Sequence, residues 1–202
     1  IRVDGRYRVQ EALGSGSYAT MYHAINIINR KTYAIKLEPR SDGTSSVEQE
    51  DCILKQLKGL VGLLCVHWFG QESSFDALVL DFLGPSLQEL PTQQKKFSPP
   101  TVHHLGDQLL SRLQYIYSQG YIHGNIKPQN ILMGVSDQSL TMFIVDFGTA
   151  KWYRDSDTRG HIPFCHTSHL TGMPAFTSIN SHLGAEFGQC DDLECMRVQI
   201  LY

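Results

Sequence analysis

Four groups of residues in this sequence of 202 carry side chains suited to phosphate or metal chemistry. Gly14-Ser15-Gly16-Ser17-Tyr18-Ala19 is a run of small residues that lets backbone N–H groups approach an anion closely. Ala34-Ile35-Lys36 ends in an ammonium that can meet phosphate oxygens, and Glu50 is a carboxylate that can hold such a lysine in place. His123-Gly124-Asn125-Ile126-Lys127-Pro128-Gln129-Asn130 is followed, after a short strand-like gap, by Asp146-Phe147-Gly148. There Asn130 and Asp146 offer oxygen ligands for a hard divalent cation. Taken singly, each group has a plainer role: a hairpin, an exposed strand charge, a solvated helix-face acid. Order and spacing give them joint meaning.

These groups require elements to place them. β-Branched and aromatic residues predict strands over 7–13, 19–26 and 32–37, which makes the glycine run a strand connection and puts Lys36 on the third strand. After a polar loop over 38–46, apolar Val47, Ile53, Leu54 and Leu57 alternate with Glu48, Glu50, Asp51 and Lys55 at near-helical spacing, and Ser45 or Ser46 supplies an N-cap. Glu50 on that helix can face Lys36. Strands over 65–69 and 77–82 lead to the breaker Gly84-Pro85, so a first domain is expected over 1–82 and a second over 83–202. Beyond Pro99-Pro100, Val102, Leu105, Leu109, Leu110, Leu113 and Ile116 share one face of a helix predicted over 101–119 and ended by Gly120. From there to about Ser178 the sequence reads mainly as loop.

Composition excludes several classes. With 17 Lys and Arg against 20 Asp and Glu, the net charge of -3 gives no general attraction to nucleic acid or an acidic membrane, and neither partner is expected. The longest apolar run, 60–69, is interrupted by Gly62 and His67 and falls short of the roughly 20 residues of a membrane span. Five cysteines, an odd number without a C-x-x-C pair, argue against a disulfide framework or zinc site and for reduced thiols in an intracellular protein of cytoplasm or nucleus. The histidines are scattered and suggest no metal site. A start at Ile1 rather than Met points to a trimmed start or a longer product.

The catalytic-loop pattern H-R-D-x-x-x-x-N, the D-F-G triplet and the V-A-I-K strand of protein kinases are matched in order by His123 to Asn130, Asp146 to Gly148 and Ala34 to Lys36. The chain therefore resembles the protein kinases. Trp68-Phe69-Gly70-Gln71-Glu72, Leu83-Gly84-Pro85-Ser86-Leu87, His161-Ile162-Pro163, Leu170-Thr171-Gly172 and Ser178-Ile179-Asn180 narrow the resemblance to the casein kinase 1 family, over about Tyr7 to Glu194. The resemblance implies a bilobal α+β fold, with a small antiparallel β lobe plus one helix and then a mainly helical lobe, truncated after the start of its long helix. It implies ATP and Mg²⁺ as cofactors, with a protein substrate or binding partner. Gly14, Ser15, Gly16 and Ser17 would serve the phosphates, and Lys36, held by Glu50, the α- and β-phosphates. Met21, Ala34 and Leu132 would surround the adenine, with Leu80 as gatekeeper and the backbone of Asp81 and Leu83 as hinge partners. Asn130 and Asp146 would ligate metal, and Lys127 would touch the γ-phosphate.

The departures from the pattern fall on the substrate side. The family's catalytic aspartate is replaced by Asn125, whose amide cannot take the substrate hydroxyl's proton, so turnover should fall by about 10²–10⁴-fold. Gly124 replaces the preceding arginine, Met173 replaces a threonine, and Cys165, Ser168 and Ala175 stand where the family binds a phosphate already on its substrate. Ala19 takes the place of the third loop glycine, whereas Asp192 keeps the register of the aspartate that braces the catalytic loop. These residues imply an ATP-binding, catalytically impaired kinase-like domain. The alternatives are a residually active serine/threonine kinase and a remnant that binds no nucleotide.

Overall fold

The computed structural model describes residues 1–16, 18–41, 43, 45–90, 97–154, 160 and 175–201, with side chains as far as 196. They fall into two units: 1–58 with 63–83, and 59–62 with 84–202.

The first unit is a six-stranded antiparallel sheet in the order β1-β2-β3-β4-β6-β5 with one helix. Its strands are β1 (Arg2–Val3), β2 (Tyr7–Ser15), β3 (Thr20–Asn26), β4 (Thr32–Pro39), β5 (Val66–Glu72) and β6 (Phe75–Asp81). Alternation builds its core: Tyr7, Ala24, Tyr33, Ile35, Ala77 and Val79 are buried in one apolar cluster, against which Val9, Leu37 and Trp68 pack. Tyr7 meets Tyr33 edge to face at 5.2 Å between ring centres. Strands β2, β4 and β5 run beyond their predicted ends because the ladders continue to the turns; β5 and β6, for example, stay in register to Glu72 and Phe75. The helix, α1 (Ser46–Gln56), is capped by Ser45, whose hydroxyl accepts the Glu48 N–H at 3.4 Å.

The second unit opens with residues 59–62. Gly62 sits at φ +97°, its carbonyl accepts the Ile144 N–H at 3.1 Å, and a Cβ there would fall 2.6 Å from the Met142 carbonyl oxygen. Such close backbone approach draws this glycine-rich stretch to the second unit. Helix α2 (Pro99–Ser118) begins two residues ahead of its predicted start, since prolines without N–H groups fit a first helical turn capped by Ser98. Leu109, Leu113 and Ile116 form its buried stripe. The helix gives way at Gly120, φ +86°, where a Cβ would fall 2.7 Å from the Trp152 ring.

The stretch expected as loop contains short elements. Strand β7 (Tyr121–Ile122) pairs with β10 (Lys151–Trp152), and β8 (Ile131–Met133) with β9 (Met142–Ile144). Single 3₁₀ turns occupy Pro128–Asn130, Ser136–Gln138 and Phe147–Thr149. Strands of two or three residues show no periodicity to read, so tertiary pairing alone specifies them. Helices α3 (Ile179–His182) and α4 (Gln189–Leu201) follow. Among the described residues no helix is long and apolar enough to cross a membrane.

Candidate active site

Strand β4 divides its residues between two faces. Tyr33, Ile35 and Leu37 join the apolar cluster, while Lys36 turns to α1 and donates to Glu50 Oε2 at 2.6 Å. Their side chains are 12% and 1% exposed, so each charge helps to compensate the other away from water. Met21 lies opposite Lys36 on β3 and Leu80 opposite Ala34 on β6. Directly paired residues share a side of the sheet, so Met21, Ala34, Lys36 and Leu80 occupy one face. That grouping follows from ladder register, which the sequence alone does not reveal.

The turn joining β2 and β3 is closed by the Gly16 N–H donating to the Ala19 carbonyl at 2.8 Å. Neither Gly14 nor Gly16 has a positive φ, and a Cβ on Gly14 would meet nothing within 4 Å. The backbone itself therefore does not require glycine at these two positions. Ser15 Oγ lies 3.4 Å from Thr20 Oγ1. Ser17 lies outside the described residues. At the end of β6, Asp81 accepts the Cys65 N–H at 2.8 Å and meets His67 Nε2 at 2.6 Å. Burial acts to raise the Asp81 carboxyl, but the His67 and Cys65 contacts outweigh it and hold the group below the usual carboxylate range. Leu83 is the last residue of this unit.

In the second unit, residues 84–87 run alongside β8: Gly84 N–H donates to the Met133 carbonyl at 2.8 Å and Leu87 N–H to that of Ile131 at 2.8 Å. Ser86 thereby stands opposite Leu132. The loop over 123–130 is held from several directions. His123 is wholly buried; its Nε2 lies 3.1 Å from the Val145 carbonyl and its Nδ1 accepts the Asn125 N–H at 3.2 Å. Those partners place the proton on Nε2. Phe147 meets the imidazole edge-on at 4.8 Å.

From α4, the fully buried Asp192 accepts the His123 N–H at 2.8 Å through Oδ2 and the Gly124 N–H at 2.9 Å through Oδ1, with the Tyr117 hydroxyl 3.4 Å from Oδ2. Burial pushes the Asp192 carboxyl up to about 7, against these donors, which favour the anion. The same burial, with Asp192 adjacent, raises the Tyr117 hydroxyl. Gly124 has φ +76° and its Cβ would fall 3.2 Å from the Thr149 carbonyl oxygen, a conformation that a side chain would strain.

At the centre of this half, Asn130 Nδ2 donates to the Asn125 carbonyl at 2.9 Å, and the Val145 N–H donates to the Asn130 carbonyl at 3.0 Å. Asp146 holds a left-handed backbone, φ 69° and ψ 69°, which costs roughly 1–3 kcal/mol and persists where surroundings over-determine it. Its Oδ2 receives Asn125 Nδ2 at 3.2 Å and Asn130 Nδ2 at 3.5 Å. One carboxylate with a neighbouring amide fits a magnesium ion that keeps water and phosphate ligands, rather than an all-protein cage. No cluster of three or more His, Cys, Asp or Glu side chains arranged for a metal occurs among the described residues. Lys127 precedes the 3₁₀ turn, half-buried, and its ammonium has no hydrogen-bond or ion-pair partner among the described residues.

Ser178 caps α3, Asn180 Nδ2 donates to Asp191 at 3.1 Å, and Ala175 lies in an exposed turn. Cys165, Ser168 and Met173, like 161–163 and 170–172, fall outside the described residues. Sequence reasoning passed over Glu38, which stands on the same strand face as Lys36 and binds the start of α1. Its signal was present in the i, i+2 spacing from Lys36 and in the adjacent Ser45-Ser46 pair.

The first unit therefore carries a buried lysine–glutamate pair and a small-residue turn, and the second, described by itself, a braced loop and a carboxylate flanked by amides. The family model described as the protein kinase domain matches residues 7–177.

Proposed function

We propose, because this chain belongs to the protein kinase domain family, that it binds ATP with Mg²⁺ as a casein kinase 1-like member and is impaired in phosphoryl transfer at Asn125. The family is shared with enzymes that transfer a phosphoryl group; the impairment is particular to these residues. One observation carries it. The Asn125 side chain donates an N–H to Asp146 Oδ2 at 3.2 Å. A group donating there has no lone pair basic enough to take a hydroxyl proton, so general-base assistance is missing.

The nucleotide-binding residues support retained binding. Lys36 is held by Glu50 at 2.6 Å, an arrangement suited to pairing its ammonium with phosphate oxygens. Asp146 and Asn130 would hold magnesium, which supplies charge neutralisation to the phosphates when bound. Lys127 keeps a compact positive charge suited to the terminal phosphate. Met21, Ala34 and Leu80 offer an apolar strip for the base in the first unit, and Leu132 a further apolar contact in the second.

The test is a thermal-shift titration with Mg-ATP followed by transfer of radiolabelled phosphate to an acidic protein substrate. Stabilisation that is lost in Lys36→Ala, with negligible transfer, is the expected result. Asn125→Asp should then raise transfer by about 10²-fold or more. Robust transfer by the unaltered protein, abolished by Asp146→Ala, would overturn the impaired reading and leave a working serine/threonine kinase. Absence of any ATP-dependent shift would overturn nucleotide binding.

A further inference from the structure

Glu38 has no part in the kinase pattern, yet it is buried, and one of its oxygens gathers the start of α1. Oε2 accepts the Ser46 hydroxyl at 2.7 Å, the Val47 N–H at 2.9 Å and the Ser45 hydroxyl at 3.1 Å. Ser45 at the same time accepts the Glu48 N–H as helix cap, so its hydroxyl links the carboxylate to the first turn. The first N–H groups of any helix lack intrahelical acceptors, and the helix N-terminus favours negative charge. Burial acts to raise the Glu38 carboxyl, but the donors from Ser46, Val47 and Ser45 prevail and keep it below its usual range.

Sheet stability does not account for an acid here. Directly opposite Glu38 on β6 is Asp76, also buried, and two like charges in cross-strand register are unfavourable. Among the described residues Asp76 pairs with the half-exposed Arg40, whose Nε is 3.9 Å from Oδ1.

Geometry gives the reason. Lys36 and Glu38 are two residues apart on one strand face, a separation of about 6.6 Å. Their partners on α1, Glu50 and Val47, are three residues apart, about 4.5 Å along a helix. The two spacings differ by about 2 Å, which the long Lys36 and Glu38 side chains span, so β4 grips α1 at two points about one turn apart.

We propose that Glu38 is a positioning residue: by fixing the first turn of α1 it sets the height and rotation at which Glu50 meets Lys36. This rests on the reading that Lys36 serves the nucleotide phosphates. It places the control of that lysine at a strand end and helix cap remote from it in the motif pattern.

The test reads Lys36 directly, by its rate of acetylation with a small acylating reagent, measured by peptide mass spectrometry against exposed Lys31 in the same folded chain. Glu38→Gln should raise the Lys36 rate about 5-fold or more, the factor expected when a charge-assisted anchor is lost. Glu38→Asp, which keeps the charge, should recover part of the protection, and Glu50→Gln sets the upper limit. Mg-ATP affinity should fall by a similar factor in Glu38→Gln. An unchanged Lys36 rate in Glu38→Gln, beside a clear rise in Glu50→Gln, would reduce Glu38 to a simple cap and overturn the proposal. Should circular dichroism show that Glu38→Gln does not fold, Ser46→Ala removes the shortest of the three contacts, and the same rise or lack of it decides. If no variant binds Mg-ATP, the nucleotide reading fails, while the acetylation rates still decide whether Glu38 positions the pair.

Discussion

Asp192→Asn tests whether the brace beneath the catalytic loop is a neutral acid or an anion. Burial pushes the carboxyl from an ordinary 3.8 up to about 7. Between those values the native chain keeps a proton that the unfolded chain has released, so the native state loses stability as pH rises through this window. Over the whole window the loss is about 4 kcal/mol as an upper figure, and about 3 of it falls between pH 5 and 8. Asparagine has no such titration. Its amide can accept one of the two N–H groups of His123 and Gly124 but turns an N–H toward the other, at a cost of about 1–3 kcal/mol. Urea denaturation of both proteins at pH 5, 6, 7 and 8 should find them within about 1 kcal/mol at pH 5 and the variant the more stable at pH 8. A gap that stays constant with pH, with the variant always weaker, would refute the reasoning and show that the loop's donors hold the carboxylate ionised throughout.

Lys36→Met should destabilise the first unit by about 3–5 kcal/mol, because it strips the buried Glu50 carboxylate of its cation, and Lys36→Met with Glu50→Leu should recover most of that loss in the same urea titration. Gly120→Ala should cost about 1–3 kcal/mol in thermal unfolding, since the new methyl meets the Trp152 ring in a left-handed backbone; equal stability would mean that β10 shifts freely.

The parts of the fold that sequence exposes are those built by repetition. The alternation in β4 and the stripe along α2 announce themselves because their burial recurs at the period of the element. The short β7 to β10 pairs do not, since two or three residues carry no period and their partners lie 9 to 31 positions away. The site divides on the same line. Lys36 and Glu50, residues 14 apart, were legible because a helix after the third strand can turn Glu50 toward Lys36 and the motif order favours it; the contact forms at 2.6 Å. Asp192, 68 positions from Gly124, was placed through resemblance alone. Glu38 was overlooked for a different reason: a polar residue at a strand end normally reads as the beginning of a loop, and that reading outweighed its i, i+2 spacing from Lys36. The fold alone buries its carboxylate against a helix cap.

The hydrogen bond from Asn125 to Asp146 has a consequence for how the site tolerates its ionic surroundings. Two carboxylates at the same 3.2 Å would repel by about 5 kcal/mol at an effective dielectric constant of 20, and would keep that spacing only with a counter-ion near them. The amide turns the repulsion into an attraction. The loop and Asp146 can therefore keep their mutual arrangement when divalent cation is scarce, held by a hydrogen bond of their own.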